Sequence, residues 1–394
     1  MLNGMSARTL CLRYRNLPGG NLPERLAYVC HRLLTRFLVG RRVLDINGER
    51  TKPICGFSKW IPENERRQQQ RLVCISGLGH SGSGALADLL SEYDGVDVRS
   101  FVDSNGSLKK ASSQEFDILR YSGGLFSLEN AFRTGNESHR DAAVKAFLHF
   151  VSSLYVHDGG VFNGEFLDRT RAFLDEILLG RSAPVHAHGY AYCPQMEPLG
   201  TFGSRLVWGD SGTGSVFWLK DMSVADYRRI AGSYVRDIIG SLSREPVLVL
   251  DQVISDGTGD MDKYEAYLGP IRLLAVYRDP RDVFATAVKL KANWIPSDPE
   301  VFVQWYKHRI SPYHGLRHDH FRLIRFEDLV VNYAKTVAEV EEFLGIRPAA
   351  HARRKSCFDP ALSVRNIGIH ESIDDQAAVR KIRSELGDFC WAGG

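Results

Sequence analysis

The 394-residue chain contains no stretch of 18 uncharged apolar residues, and no apolar segment ahead of a small-residue cleavage site near its N-terminus. These two absences speak against a membrane span and against secretion, so the expectation is a cytoplasmic protein. Its seven cysteines (Cys11, Cys30, Cys55, Cys74, Cys193, Cys357, Cys390) are odd in number, widely spread and never in a C-x-x-C pair. They read as reduced thiols rather than a disulfide framework or a zinc ribbon. The excess of charge is small, with 50 Lys and Arg against 47 Asp and Glu, which removes nucleic acid as the default partner. Internal repeats and low-complexity segments are absent too.

What charge asymmetry there is lies at the start. The first 45 residues hold eight arginines (Arg8, Arg13, Arg15, Arg25, Arg32, Arg36, Arg41, Arg42) against Glu24 and Asp45. Within them, LAYVCHRLLTRFLV mixes arginine with a broad apolar face. Two readings fit it: a helix lying in an anionic membrane surface, or a helix packed on the domain with its arginines in solvent. Residues 1–70 read as a basic N-terminal extension, closed by the polar run ENERRQQQR, and residues 71–394 as the main domain.

In that domain, short apolar runs at Leu72–Ser76, Pro246–Leu250, Ile271–Tyr277 and Phe321–Phe326 have the character of buried parallel strands. Helical patterns alternate with them. ALADLL puts Ala85, Leu86, Leu89 and Leu90 on one face, and LVVNYAKTVAEVEEFLG does the same for Val337, Val340, Phe343 and Leu344 before a stop at Gly345. The predicted fold is three-layer α/β, a P-loop-like domain with a central parallel sheet and helices on both faces. Residues 103–245 interrupt the pattern. They read as a mostly helical and irregular insertion, with helices near Arg140–Tyr155 and Glu165–Leu179 and an aromatic stretch containing Tyr190, Tyr192, Trp208 and Trp218.

The first strand runs into GLGHSGSGALADLL, Gly77 to Leu90. A strand, a glycine-rich turn and a helix N-terminus aim backbone N–H groups and the positive end of a helix dipole at an anion. A nucleoside triphosphate site needs G-x-x-x-x-G-K-[ST], its lysine for the β and γ phosphates and its hydroxyl for magnesium. Gly77 and Gly82 fit that pattern, but Ser83 stands in the lysine position and Gly84 in the hydroxyl position. The anion cradle (Gly79, His80, Ser81, Gly82, Ser83, Gly84) is kept without the metal-nucleotide apparatus. The bland alternative is a tight strand-to-helix turn.

A second stretch, LLAVYRDPRDVFATAVK, delivers Arg278 at the C-terminal end of a buried strand, where open α/β sheets bind ligands. Thr286 follows eight residues later, in a helix starting near Asp282, so a guanidinium and a hydroxyl can reach one phosphate. Arg281 is either a second anion contact or a surface charge.

These stretches together resemble the PAPS-dependent sulfotransferases, in a bacterial-type branch. GHSGSGALADLL resembles the family's 5′-phosphosulfate loop and RDPRDVFAT its 3′-phosphate motif. IRFEDLVVNYAKTVAEVEEFLGI, Ile324 to Ile346, resembles the strand and helix that carry Y-E-D-L and end in F-L-G. The resemblance covers Leu72 to Ile346. It departs at His80, where the family has a basic residue, at Thr286, where it has Ser, and at Gly84, which lacks a hydroxyl.

The resemblance implies PAPS as co-substrate, PAP as product, no metal, and in-line transfer of a sulfuryl group to an acceptor hydroxyl or amine. His80, protonated or hydrogen-bonding, would serve the departing phosphate, and a nearby anion would raise its pKa. A general base is needed as well. Asp103, in VDVRSFVD, is the leading candidate, Asp251, in VLVLDQVISD, the rival, and Glu129 a weaker third. Arg365 and Gly368, with Arg353, Arg354 and Lys355, fall where the family closes a basic loop over the 3′-phosphate; the last three read equally as a solvated face. His186 and His188 lack a third metal ligand and read as acceptor contacts or packing. The acceptor expected is a small molecule, glycan or glycolipid, with possible peripheral membrane contact through the N-terminal segment. Two other functions compete: a nucleotide-binding scaffold with weak or no catalysis, and an NTP-dependent kinase, which the missing lysine opposes.

Overall fold

The computed structural model describes residues 70–99, 118–119, 123–157, 164–182, 216–240, 242–252, 254, 261–292 and 294–393. The arginine-rich segment, Asp103, His186, His188, Tyr190, Tyr192 and Trp208 lie outside the described residues.

Strand β1 (Arg71–Gly77) enters the glycine-rich loop and is followed by α1 (Ser83–Leu90) and β2 (Val96–Arg99). A second unit then intervenes: α2 (Leu125–Thr134), α3 (Glu137–His157), α4 (Gly164–Ile177), the hairpin strands β3 (Leu178–Ser182) and β4 (Val216–Leu219), and α5 (Val224–Gly240) up to Tyr234. The chain returns to the first unit with β5 (Val247–Asp251), α6 (Met261–Leu268), β6 (Ile271–Tyr277), α7 (Pro280–Leu290), α8 (Pro299–His314) and β7 (Phe321–Arg325). It ends in α9 (Phe326–Val331), α10 (Tyr333–Leu344), a short turn of helix α11 (Pro360–Ser363), and α12 (Gln376–Glu385).

The first unit is an α/β domain on a five-stranded, all-parallel sheet in the order β2-β5-β1-β6-β7. Its strands are apolar on both faces because both are covered. Val73, Ile75, Leu274 and Val276 pack on one face against Leu86, Leu89 and Leu90 of α1 and Val340, Phe343 and Leu344 of α10. On the other face the Ser76 hydroxyl lies 2.8 Å from the Tyr313 hydroxyl of α8. Each large side chain so buried contributes about 1.5–3 kcal/mol as an upper estimate.

Chain direction explains where a ligand site belongs. From β1 the chain moves toward β2, on one side of the sheet, and from β6 toward β7, on the other. The loops after β1 and β6 therefore diverge at adjacent strand ends, the crevice where open α/β sheets bind ligands. These are the loops that carry Gly77–Gly82 and Arg278.

Two details differ from the sequence reading. The helix expected across LVVNYAKTV is broken at Asn332, whose backbone (φ −101°, ψ 34°) leaves the helical region between α9 and α10. Gly345 does end α10, in the left-handed conformation at φ 61°. The second unit also has a hairpin besides its helices, with β3 and β4 antiparallel. Its core is aromatic: Phe173 stacks on Tyr234 at 4.7 Å, and the Tyr227 hydroxyl donates to the Leu125 carbonyl at 2.9 Å.

Candidate anion site at the sheet edge

Gly82 caps α1 from the left-handed region, at φ 90°, and the Phe326 ring comes so close that a Cβ there would stand 2.3 Å from it. Gly79 (φ 82°) is likewise covered by Trp294, where a Cβ would meet the indole at 2.5 Å. Only glycine meets both the conformation and the close approach. Between them, Ser81 is buried and its hydroxyl accepts from the Leu78 amide at 3.0 Å, leaving its own proton to donate outward. The Ser83 hydroxyl accepts from the Gln252 side-chain amide at 2.7 Å. The amides of Ser83 and Gly84 open α1 and precede the first residue able to find a helical carbonyl; no acidic side chain stands in that first turn. The loop and helix start have the geometry of a candidate anion cradle.

His80 itself has left-handed backbone, at φ 47°, and its ring packs on Trp294 with centroids 5.2 Å apart. Its Nε2 is buried without a hydrogen-bond partner. Burial, and then the charge of Arg278, hold its pKa below the ordinary 6.5. The expectation that an anion raises this pKa thus starts from an imidazole held toward its neutral form, with a buried nitrogen that no protein group bonds.

Arg278 lies at the end of β6, buried to 5% exposure. Its Nη1 donates to the His80 carbonyl at 3.0 Å and to the Thr286 hydroxyl at 3.3 Å, and its Nη2 donates to the Asn366 carbonyl. The guanidinium lies over the Phe326 ring, 5.3 Å from its centroid. Its Nε has no partner. All three acceptors are neutral, so a buried cation is solvated by oxygens without being neutralised by a hydrogen-bonded carboxylate. Asp282, Glu327 and Asp279 act on its charge, and none of them is hydrogen-bonded to the guanidinium.

The structure thus brings Gly79, His80, Ser81, Gly82, Ser83, Arg278 and Thr286 to one edge. Gly84 is exposed, with open space where a side chain would project. Arg365 is exposed on the turn that provides the Asn366 carbonyl. That turn is pinned by buried Asp282, which accepts from the amides of Gly368 (2.8 Å) and His370 (3.0 Å) and from His370 Nδ1 (2.6 Å). Asp251, buried at the end of β5, accepts at 3.1 Å from the same Gln252 amide nitrogen that reaches Ser83. Gln252, Trp294, Phe326 and Asn366 are the neighbours that sequence reasoning missed.

Other candidates are engaged elsewhere. Arg281 forks onto Asp279, with Nη2–Oδ2 2.6 Å, and so is not a free surface charge. Glu129 is buried in the second unit and held in a bidentate ion pair by Nε and Nη2 of Arg228, at 2.9 and 2.7 Å. Arg353, Arg354 and Lys355 are exposed, in line with a solvated face. Among the described residues, Asp262, Glu265 and His318 are close enough to share an ion. Glu265 accepts from the Ile271 amide at the start of β6, so this group lies at the opposite strand ends, about 20 Å from Arg278 for a seven-residue strand. Among the described residues, no helix is long and apolar enough to cross a membrane, and the cysteines Cys74, Cys357 and Cys390 are free thiols.

No protein-family model matches the chain, and no curated protein matches it in sequence. Solved structures that resemble it in fold include two sulfotransferase domains. The sulfotransferase domain of the Synechococcus PCC 7002 olefin synthase is 12% identical, with a TM-score of 0.35 over 81% of this chain and 95% of that one. The sulfotransferase domain from the curacin biosynthetic pathway is 11% identical, with a TM-score of 0.36 over 81% and 98%. Both likenesses are distant, and what the site can do follows from its own groups.

Proposed function

We propose that the chain is a sulfotransferase that moves a sulfuryl group from PAPS to a hydroxyl, or less readily an amine, of an acceptor. The observation that carries this reading is the buried Arg278, hydrogen-bonded only to neutral oxygens and set beside the glycine loop that opens α1. The groups present fit the two anionic ends of such a donor. Arg278 and Thr286 suit the 3′-phosphate, and the loop amides, the Ser81 hydroxyl and the orphan His80 Nε2 suit the 5′-phosphosulfate. PAPS supplies the activated sulfuryl group. Ser83 and Gly84, standing where a lysine and a magnesium-binding hydroxyl would be, make metal-independent binding the expectation.

The protein's work in this reaction is to position and to stabilise charge. The amides at the start of α1 hold the negative charge that grows on the departing phosphate, and His80 donates to it once an anion offsets the effect of Arg278. Asp251, joined to Ser83 through Gln252, or Asp103 removes the acceptor proton. The acceptor class we favour is a carbohydrate or glycolipid, met at a membrane surface by the arginine-rich N-terminal segment.

Calorimetry of PAP binding, with and without magnesium, tests the reading. The expected result is micromolar binding indifferent to magnesium and about a hundredfold weaker in Arg278→Ala, the loss typical when one member of a buried charge-assisted contact is removed. Absence of PAP binding, or magnesium-dependent ATP binding, overturns it. The depressed pKa of His80 favours a second reading, a nucleotide-binding scaffold that transfers poorly. PAP binding with no sulfation of any hydroxyl acceptor would select that one.

A further inference from the structure

Glu327, the second residue of α9, is completely buried. Its Oε1 accepts from the Asp279 amide at 2.9 Å, fixing the residue next to Arg278. Its Oε2 is buried without a partner, as is the Nε of Arg278. The charged and titratable groups that face it are Tyr277, Arg278 and Asp279 at the end of β6, Arg325 on β7, Asp328 on α9 and Tyr306 on α8. Two of these are already committed: Arg325 donates to the Tyr277 hydroxyl at 2.8 Å, and Asp279 is ion-paired with Arg281 at 2.6 Å. Arg278 is left as the cation whose charge supports a carboxylate at Glu327, a charge that Asp282 and Asp279 also draw on.

We propose that Glu327 is a positioning residue that takes up one proton from solvent when an anion binds Arg278, so that the guanidinium exchanges an internal counter-charge for the ligand. This rests on the reading of Arg278 as the donor's phosphate site. Burial, with a smaller push from the charge of Asp279, outweighs the bond from the Asp279 amide, the residue's own amide and the charge of Arg278, and holds Glu327 up at about 7. Above pH 7 the carboxylate is therefore largely ionised in the empty site. An arriving phosphate neutralises Arg278 and repels the carboxylate; an O–H bond forms at Glu327 and the buffer acid gives up the proton.

PAP titrations at pH 8 in two buffers of different ionisation enthalpy count that proton, since the phosphates of PAP are already ionised there. The wild type is expected to take up close to one proton, and its affinity to fall toward tenfold per pH unit between pH 7.5 and 9. Glu327→Gln, which keeps an oxygen for the Asp279 amide, is expected to bind PAP with no uptake and a flat profile. Binding without proton uptake in the wild type, or uptake that survives in Glu327→Gln, would overturn the proposal. Should Glu327→Gln not fold, the wild-type proton count and the pH slope of its affinity decide, and a count of zero or a flat slope overturns the proposal. Failure of the wild type to bind PAP at all would instead remove the donor-site reading, and the proposal with it.

Discussion

Arg278 Nη1 lies 3.3 Å from the hydroxyl of Thr286, two helical turns along α7, and donates to it. The contact places a hydroxyl at the rim of the guanidinium, where one phosphate can accept from both groups. Thr286→Val keeps the shape and removes the hydroxyl. It is expected to weaken PAP binding about tenfold, close to the worth of a hydrogen bond to a charged group, while Thr286→Ser stays within about threefold of the wild type. Titration of the three proteins at one salt concentration checks this, and a Val variant that binds like wild type would take Thr286 out of the site.

The glycines of the loop divide into two kinds. Gly82→Ala meets both a φ of 90° and the Phe326 ring at 2.3 Å, so it is expected to disrupt the loop, abolish PAP binding and lower the melting temperature. Gly84→Ala meets nothing within 4 Å and stands in the first turn of α1. It is expected to stabilise the fold by about 0.5–1 kcal/mol through the unfolded state, with PAP binding retained. Paired thermal melts and titrations separate the two, and equal behaviour would contradict the loop geometry.

Much of this architecture is legible in the chain because it depends on local pattern. β6 was readable as Ile271–Tyr277, and β1, β5 and β7 to within a residue at either end, since each is a continuous apolar run buried on both faces. β2 escaped notice because VDVR is four half-buried residues with charges at alternate positions. The juxtaposition of Arg278 with Thr286 follows from their spacing on one strand-helix unit. Its other partners do not: Asn366 and His80 offer backbone carbonyls, which leave no trace in side-chain identity. Gln252 meets Ser83 across 169 positions, through the pairing of β1 with β5. Glu327 belongs to the motif by resemblance, but its buried, half-satisfied carboxyl emerges only from packing.

The far end of α1 carries the anchor for the C-terminal segment that leads to Asn366. Glu92 is fully buried and accepts from the amides of Lys355 (2.9 Å), Cys357 (2.9 Å) and Phe358 (2.8 Å), and its other polar partner is His351 Nε2 at 2.7 Å. Burial alone would raise its pKa, but these bonds more than offset that and hold the carboxyl below its ordinary 4.5. A carboxyl with a depressed folded-state pKa contributes stability that is complete above the unfolded value and lost as pH falls through the folded one. Glu92 therefore stabilises the protein fully at pH 5 and above, and its contribution declines below about pH 4.5. Glu92→Gln can offer one oxygen where the carboxylate offers two, and leaves at least one of the three amides unsatisfied at a cost of about 1–3 kcal/mol. Urea melts of wild type and variant between pH 3 and 7 should show that gap at neutral pH and its narrowing in acid. A gap that widens as pH falls would mean that Glu92 is not the ionised anchor of this segment.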